Sequence, residues 1–410
     1  MKNKSVLKVL TTMTAILVTF TFSAVAGAES MKFPEGTATP SETCGNCHKA
    51  IYNEFAHGFG ADIHFKDITL KTAAEEKLNL PAGISGNATA HAFAGVDPFP
   101  VHARDVEEGS KSCNVCHYPE AFAIPDINVP EMTKPKARAK TQEQGGLTCA
   151  SCHLTPEGKI RAAHDVKAPH ETVTDPAILT SAMCAYCHSM GKRIPGKQTQ
   201  TFLEWRDDFF KKGLGKQHCQ DCHMPRTERK VAENSDAPAR AVSRHLWTGG
   251  RSLQRLQSAL SLVTVQTEQG KSNLELHVIN IGAGHSVPTG SNRRGIYLIT
   301  DVTDKSGKKV ATKEWLFAPW YGNRPDDKSF LDEDKKRPDA VAAAQADAQG
   351  PHETIIKAGE ERVLSWIPEL KAGDYTITSR LIYDLNRYND RNFADDQTEF
   401  NRTSLSIKVK

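Results

Sequence analysis

The sequence predicts an α+β multidomain fold, with a mostly α-helical or irregular N-terminal domain packed around prosthetic groups and then an antiparallel β-sandwich. Two observations predict it. All ten cysteines fall in five C-x-x-C-H units between Cys44 and His223, in a stretch rich in Gly, Pro and Ala and poor in long amphipathic patterns. Past Leu260 the texture changes to short alternating apolar and polar runs separated by turn residues. The expected boundaries are an export signal over residues 1–28, the N-terminal domain over 29–250 and the β-domain over 251–410.

The first residues argue for export. Lys2, Lys4 and Lys8 precede an uncharged, mostly apolar run from Val9 to about Val25, and "SAVAGAES" offers an A-x-A cleavage site after Ala26 or Ala28. Threonines and serines interrupt the run, which is short for a bilayer span, so no membrane span is expected after cleavage. The mature chain is expected in the periplasm or outside the cell. Losing the three leader lysines takes Lys+Arg from 52 to 49 against 49 acids, and this balance argues against a nucleic-acid partner.

The five units are Cys44/Cys47/His48, Cys113/Cys116/His117, Cys149/Cys152/His153, Cys184/Cys187/His188 and Cys219/Cys222/His223. Two thiols separated by two residues lie along one turn, placed to form thioethers with the two vinyl groups of a haem. The adjacent imidazole then reaches the iron as its proximal ligand. Redox C-x-x-C pairs and zinc sites share the cysteine spacing, and exported cysteines ordinarily pair as disulfides. Five repeats with no cysteine left over favour five covalently attached haems c. Their ten propionates, fully ionised, would carry the neutral polypeptide to about −10.

The porphyrins are then expected to supply much of the N-terminal core, in a chain that does not fold without them. The proximal histidines at 48, 117, 153, 188 and 223 are evenly spaced after the first interval, as in a repeated unit that brings neighbouring haems close.

An electron carrier needs a second axial ligand on each iron. Eleven of the sixteen histidines are not in the C-x-x-C-H units. The distal candidates are His57 and His64, one of which is expected to ligate and the other to lie at the surface, with His91 and His102 before the second unit. His164 and His170 lie between the third and fourth units, and His245 closes the region. Met183 and Met224 adjoin attachment units and are expected to pack on porphyrin edges. His218, directly before Cys219, reads either as a ligand to a neighbouring haem or as a solvated loop residue.

In the β-domain, "NLELHVINI", "GIYLITDVTDKSGKKVATKEW", "RVLSWIPEL", "DYTITSRLIYDL" and "SLSIKV" supply about seven short strands, with turns at Lys305-Ser306-Gly307 and Lys371-Ala372-Gly373. His277 alternates to the polar side, and His352 lies in a polar loop. His285 sits in "NIGAGHSVPTG", a glycine- and proline-rich loop that can present one side chain outward, either to ligate a haem across the domain junction or to bond within the loop.

These stretches resemble the multihaem, here pentahaem, c-type cytochromes of respiratory bacteria, including those whose haem domain is similar to the tetrahaem carrier of ammonia oxidisers. "SETCGNCHKAIYNEF", "TFLEWRDDFF" leading into "KQHCQDCHMPR", "SRHLWTGG" and "NIGAGHSVPTG" carry the resemblance, which covers nearly the whole mature chain. It implies axial ligation at His245 and His285. It also implies electron transfer outside the cytoplasm between redox protein partners, with a mineral or a terminal reductase as acceptor. No C-x-x-C-K occurs, which counts against an ammonia-forming nitrite reductase. Three readings follow: an electron relay; a multihaem oxidoreductase with one open-faced haem acting on a small nitrogen or sulfur compound; or a homo-oligomeric subunit of a polymeric cytochrome wire.

Overall fold

The computed structural model describes residues 30–33, 39, 41–57, 122–123, 136–137, 148–155, 157–188, 201–250, 252–290, 294–318, 354–385 and 397–410. The leader, the whole second C-x-x-C-H unit (Cys113, Cys116, His117), and His64, His91, His102 and His352 lie outside the described residues.

The N-terminal part is built from helices of one or two turns: α1 (Ser41–Gly45), α2 (Lys49–His57), α3 (Cys149–His153), α4 (Ala182–His188), α5 (Thr201–Glu204) and α6 (Cys219–His223). A π-helical turn, Trp205–Phe210, continues α5. Helices this short do not persist alone in water and are held by what packs on them. Their ends show how. Glu233, far along the chain, accepts the Lys49 and Ala50 N–H groups at 2.9 and 2.8 Å and so caps the start of α2. The Asp221 carboxylate accepts the His218 N–H at 2.8 Å at the start of α6.

Among the described residues, small ladders cross this part: β1 (Phe122–Ala123) with β2 (Lys136–Ala137), β3 (Ile160–Ala162) parallel to β4 (Thr172–Thr174), and β5 (Arg226–Arg229) antiparallel to β6 (Arg240–Ser243). They are too short to leave a periodicity that a sequence reading can find. Among the described residues, Ile178 with Met183, and Ala185 with Phe202 and Trp205, form separate small apolar clusters.

The C-terminal part is of another kind. After α7 (Leu253–Ala259) come β7 (Leu260–Gln266), β8 (Leu274–Asn280), β9 (Gly295–Asp304), β10 (Lys309–Phe317), β11 (Glu361–Trp366), β12 (Gly373–Asp384) and β13 (Gln397–Val409). They form two antiparallel sheets, ordered β11-β8-β7 and β10-β9-β12-β13. In β8 the side chains of Leu274, Leu276 and Val278 point inward, while Glu275 and His277 point outward. His277 is not simply solvated: Glu361 holds its Nδ1 at 2.7 Å, and its side chain is 22% exposed.

The two sheets share one core. Leu262, Leu276, Val278 and Leu364 from the first meet Ile296, Leu298, Trp315, Phe317, Leu381 and Phe400 from the second, and Leu256 of α7 joins them. A chain of hydroxyls also crosses between the sheets: Thr264 reaches Ser379 at 3.0 Å and Thr403 at 2.8 Å, and Ser379 reaches Thr300 at 3.0 Å. Each buried hydroxyl thereby keeps a partner.

Asp301 on β9 gives this part an acid-sensitive contact. Burial alone would raise its pKa, but Lys309 at 2.8 Å, Thr312 at 2.7 Å and Arg380 at 2.9 Å hold it below the usual carboxylate range. The stabilisation is therefore present above the unfolded-state pKa and lost as pH falls through the lower folded value. Asp301→Asn is expected to cost about 1–3 kcal/mol at neutral pH, the usual worth of hydrogen bonds to a charged group. The difference from the parent should shrink as denaturant melts are repeated toward pH 3.

Candidate metal centres

Each described C-x-x-C-H unit closes one helical turn. In the first, the Cys47 and His48 N–H groups both donate to the Cys44 carbonyl, at 3.2 and 2.9 Å. Gly45 lies against Tyr52, whose ring atoms would be 2.6 Å from a Cβ at that position, so only glycine allows this approach. None of the eight described cysteines forms a disulfide.

The units pack in pairs, and two pairs are built alike. Ser41, three residues before Cys44, accepts the Cys149 N–H at 3.2 Å; Ser181, three residues before Cys184, accepts the Cys219 N–H at 3.0 Å. In the same pairs, Cys149 shares a thiol hydrogen bond with Cys44, and Cys219 with Cys184. Cys152 and Cys187 are also neighbours, and burial followed by the Cys187 sulfur pushes the Cys152 thiol up to about 12. The first, third, fourth and fifth units thus follow one another in space.

The histidines show a common chemistry. Nδ1 of His48 lies 2.8 Å from the Val231 carbonyl, that of His153 3.2 Å from Arg161, and that of His223 2.6 Å from Thr248. The His245 and His285 Nδ1 atoms meet the Ser243 and Ser286 carbonyls at 3.1 and 2.8 Å. A carbonyl only accepts, so in all five rings Nδ1 carries the proton and Nε2 keeps its lone pair for a metal. Burial lowers the pKa of His153, His188 and His285 and takes His223 to about 4 and His245 to about 3. All are neutral near pH 7, the form that ligates.

Two pairs of these rings face each other. His153 and His245 have ring centres 6.2 Å apart and planes 30° apart; His223 and His285 are 6.1 Å and 12° apart. An imidazole nitrogen bonds a transition metal at about 2.0 Å, so two rings on opposite sides of one ion have centres about 6 Å apart. Among the described residues no three or more His, Cys, Asp or Glu side chains converge on one point. Each facing pair brings two imidazoles, the number a haem iron takes once the porphyrin fills its other four positions. The donor set fits that group, with the thiols of each unit beside its proximal imidazole.

The remaining candidates are scattered. His170 is a neighbour of His48, and its Nδ1 is buried with no hydrogen-bond partner, although His170 also rests edge-on to Phe33 at 6.5 Å. His164 is exposed, and His57 closes α2. Met183 packs with Ile178 against Cys152 and Cys187, beside the thiols. The His218 Nδ1 accepts the Ser181 N–H at 3.2 Å and so caps α4, and its ring lies against Trp205 and Phe210.

Several supporting residues escape a sequence reading altogether. The loop carrying His285 is tied down by Asn280, whose side chain donates to the His285 and Ile356 carbonyls at 2.9 and 3.1 Å and accepts the Ala283 N–H at 3.0 Å. Thr289 donates to Glu204 and bonds Thr201, each at 2.8 Å, which binds the loop to α5. Gly282 and Gly284 pass so close to the Ser258 carbonyl and the Phe209 ring that a Cβ would lie 2.1 and 3.2 Å from them. The glycines of this loop are the one signal visible in the sequence.

No family model matches the chain, and no curated protein matches it. Among solved structures the fold is similar to that of a penta-heme cytochrome c552 from Thermochromatium tepidum, at a TM-score of 0.51 and 17% identity, over 90% of this chain and 99% of that one. This likeness is one of fold: a multihaem cytochrome-like arrangement that combines helices with antiparallel sheets. A glycosyl hydrolase family 2 member from Bacteroides cellulosilyticus and a β-glucuronidase from Bacteroides uniformis each align over 37% of this chain, at 16% and 13% identity. They cover 14% and 13% of those chains at TM-scores of 0.16 and 0.17, too low to carry an argument. Among the described residues no helix is long and apolar enough to cross a membrane.

Proposed function

We propose that this chain is an exported pentahaem c-type cytochrome that relays electrons between redox protein partners in the periplasm or at the cell surface. The observation that carries the reading is the two close, near-parallel imidazole pairs, His153 with His245 and His223 with His285, each beside a C-x-x-C pair and each with ring centres about 6 Å apart. His170, the half-buried neighbour of His48, is the ligand proposed opposite it. Haem supplies reversible one-electron chemistry at such sites, and two histidines per iron favour transfer over binding of small molecules. The sequential packing of the first, third, fourth and fifth units supports a relay, and the two sheets of the C-terminal part form a β-sandwich that presents His285 to the fifth unit.

The intact mass of the purified protein should equal the chain without its leader plus five haems. Reduced and exposed to carbon monoxide, it should leave its Soret band in place. A mass equal to the bare chain overturns the haem reading. A clear Soret shift with five haems present overturns the pure relay in favour of an oxidoreductase with one open iron.

A further inference from the structure

Glu54 lies on α2, directly after the first C-x-x-C-H unit, and its side chain is 8% exposed. Both of its oxygens are fully engaged, by partners 175 to 191 residues away. Oε1 accepts Arg229 Nη1 at 2.8 Å and Arg244 Nε at 3.0 Å; Oε2 accepts Arg229 Nη2 at 2.7 Å and the His245 backbone N–H at 2.9 Å. Burial alone would raise its pKa, but these donors hold it below the ordinary glutamate value. It remains a carboxylate.

A buried ion pair of this kind is weak evidence for stability, because desolvation offsets much of the attraction. Its direction is more informative. The one backbone group Glu54 binds belongs to His245, the ring that faces His153. The next residue, Phe55, packs edge-on against Trp247 at 5.6 Å, and Trp247 in turn abuts the His245 ring at 5.4 Å and 90°. Trp247 has a positive φ of 43°, a conformation that costs energy in a bulky residue and persists only when its surroundings impose it. Two consecutive residues of the first unit's helix therefore fix both sides of the His245 segment, while Ser243 fixes its Nδ1.

We propose that Glu54 is a positioning residue for His245, and that the first unit's helix thereby sets the coordination and the potential of the haem held between His153 and His245. The proposal rests on the haem reading above. Removing the carboxylate frees the His245 backbone and leaves the Arg229 and Arg244 guanidiniums unneutralised beside the His245 segment, which would disfavour a more positive, oxidised state of a haem held there.

The test uses the full secreted protein with its five haems confirmed by mass, in Glu54→Ala, Glu54→Gln and His245→Ala. In His245→Ala one haem in five should become reactive to carbon monoxide and give a high-spin resonance signal. Glu54→Ala should give the same signal in part. Glu54→Gln keeps one acceptor oxygen for the His245 N–H, so it should stay low-spin while the midpoint potential of one haem rises. Unchanged spin state and potentials in both Glu54 variants, or changes spread evenly over all haems, overturn the proposal even if His245→Ala behaves as expected. If Glu54→Ala does not accumulate, the potential of Glu54→Gln decides. A His245→Ala protein with no newly reactive haem removes the His153/His245 pairing, and this proposal with it.

Discussion

Secreted from cells that cannot attach haem, the chain is expected to arrive half folded, with the β part intact and the rest open. The reason lies in where the apolar side chains go. Sixteen described residues form one continuous core in the C-terminal part, including Leu260, Leu276, Ile296, Leu298, Ile356, Leu364 and Leu381, all with no exposed surface. Two sheets around a core of that size fold as an ordinary domain. Among the described residues the N-terminal part has only two small apolar clusters, Ile178 with Met183 and Ala185 with Phe202 and Trp205, under helices of four to nine residues. Such clusters cannot offset the conformational entropy of some 200 residues, at about 1–2 kcal/mol each. Limited proteolysis of the haem-free chain should leave a resistant fragment beginning near Ser252, whose circular dichroism is that of a β protein and melts in one step. Protection of the segment from Ser41 to Gly250 in the haem-free chain would show that its own side chains suffice to fold it.

The same asymmetry explains how legible the molecule is. Strands of the β part bury alternate residues against a protein core, so runs such as Leu274, Leu276 and Val278 announce themselves in the sequence, and their direction is as observed. The described helices of the N-terminal part, four to nine residues long, are too short to show such a periodicity. The C-x-x-C-H units are legible because their residues are adjacent along the chain. The approach of His153 to His245, and of His223 to His285, is not, because it joins residues 92 and 62 positions apart that only the fold brings together. Eight distal candidates could be named from sequence without any means of pairing them. Residues that act by holding others were invisible for a related reason: Glu54, Asn280 and Thr289 matter through partners that the fold alone brings near. His218 shows the same limit: the sequence left it as a ligand or a solvated loop residue, and could not show that its Nδ1 caps a helix.

His285→Ala is expected to open one iron while leaving both halves of the molecule folded. The His285 ring is buried against His223, but the loop that carries it has independent supports: Asn280 on its inner side, Thr289 bonded to Glu204 and Thr201, and Val287 paired with Ile356 through both backbone hydrogen bonds at 2.9 Å. Losing the imidazole removes none of these. The fifth unit would keep His223, still anchored by the Thr248 carbonyl at 2.6 Å, so its haem should stay attached but lack one axial ligand. The reduced variant should bind carbon monoxide at one haem in five, with the thermal transition of the β part unmoved. Asn280→Ala attacks the same site from behind. Its amide is buried and makes three hydrogen bonds, so its loss should cost about 1–3 kcal/mol through the groups left unpaired. It should also make the same haem only partly reactive, because the ligand survives on a loosened loop. A His285→Ala protein that carries five haems and remains wholly closed to carbon monoxide would place the second ligand of the fifth iron elsewhere and leave the facing rings as a packing contact. The fraction of open iron in the two variants then separates a ligand from its support: complete at one haem for the missing imidazole, partial and temperature-dependent for the loosened loop.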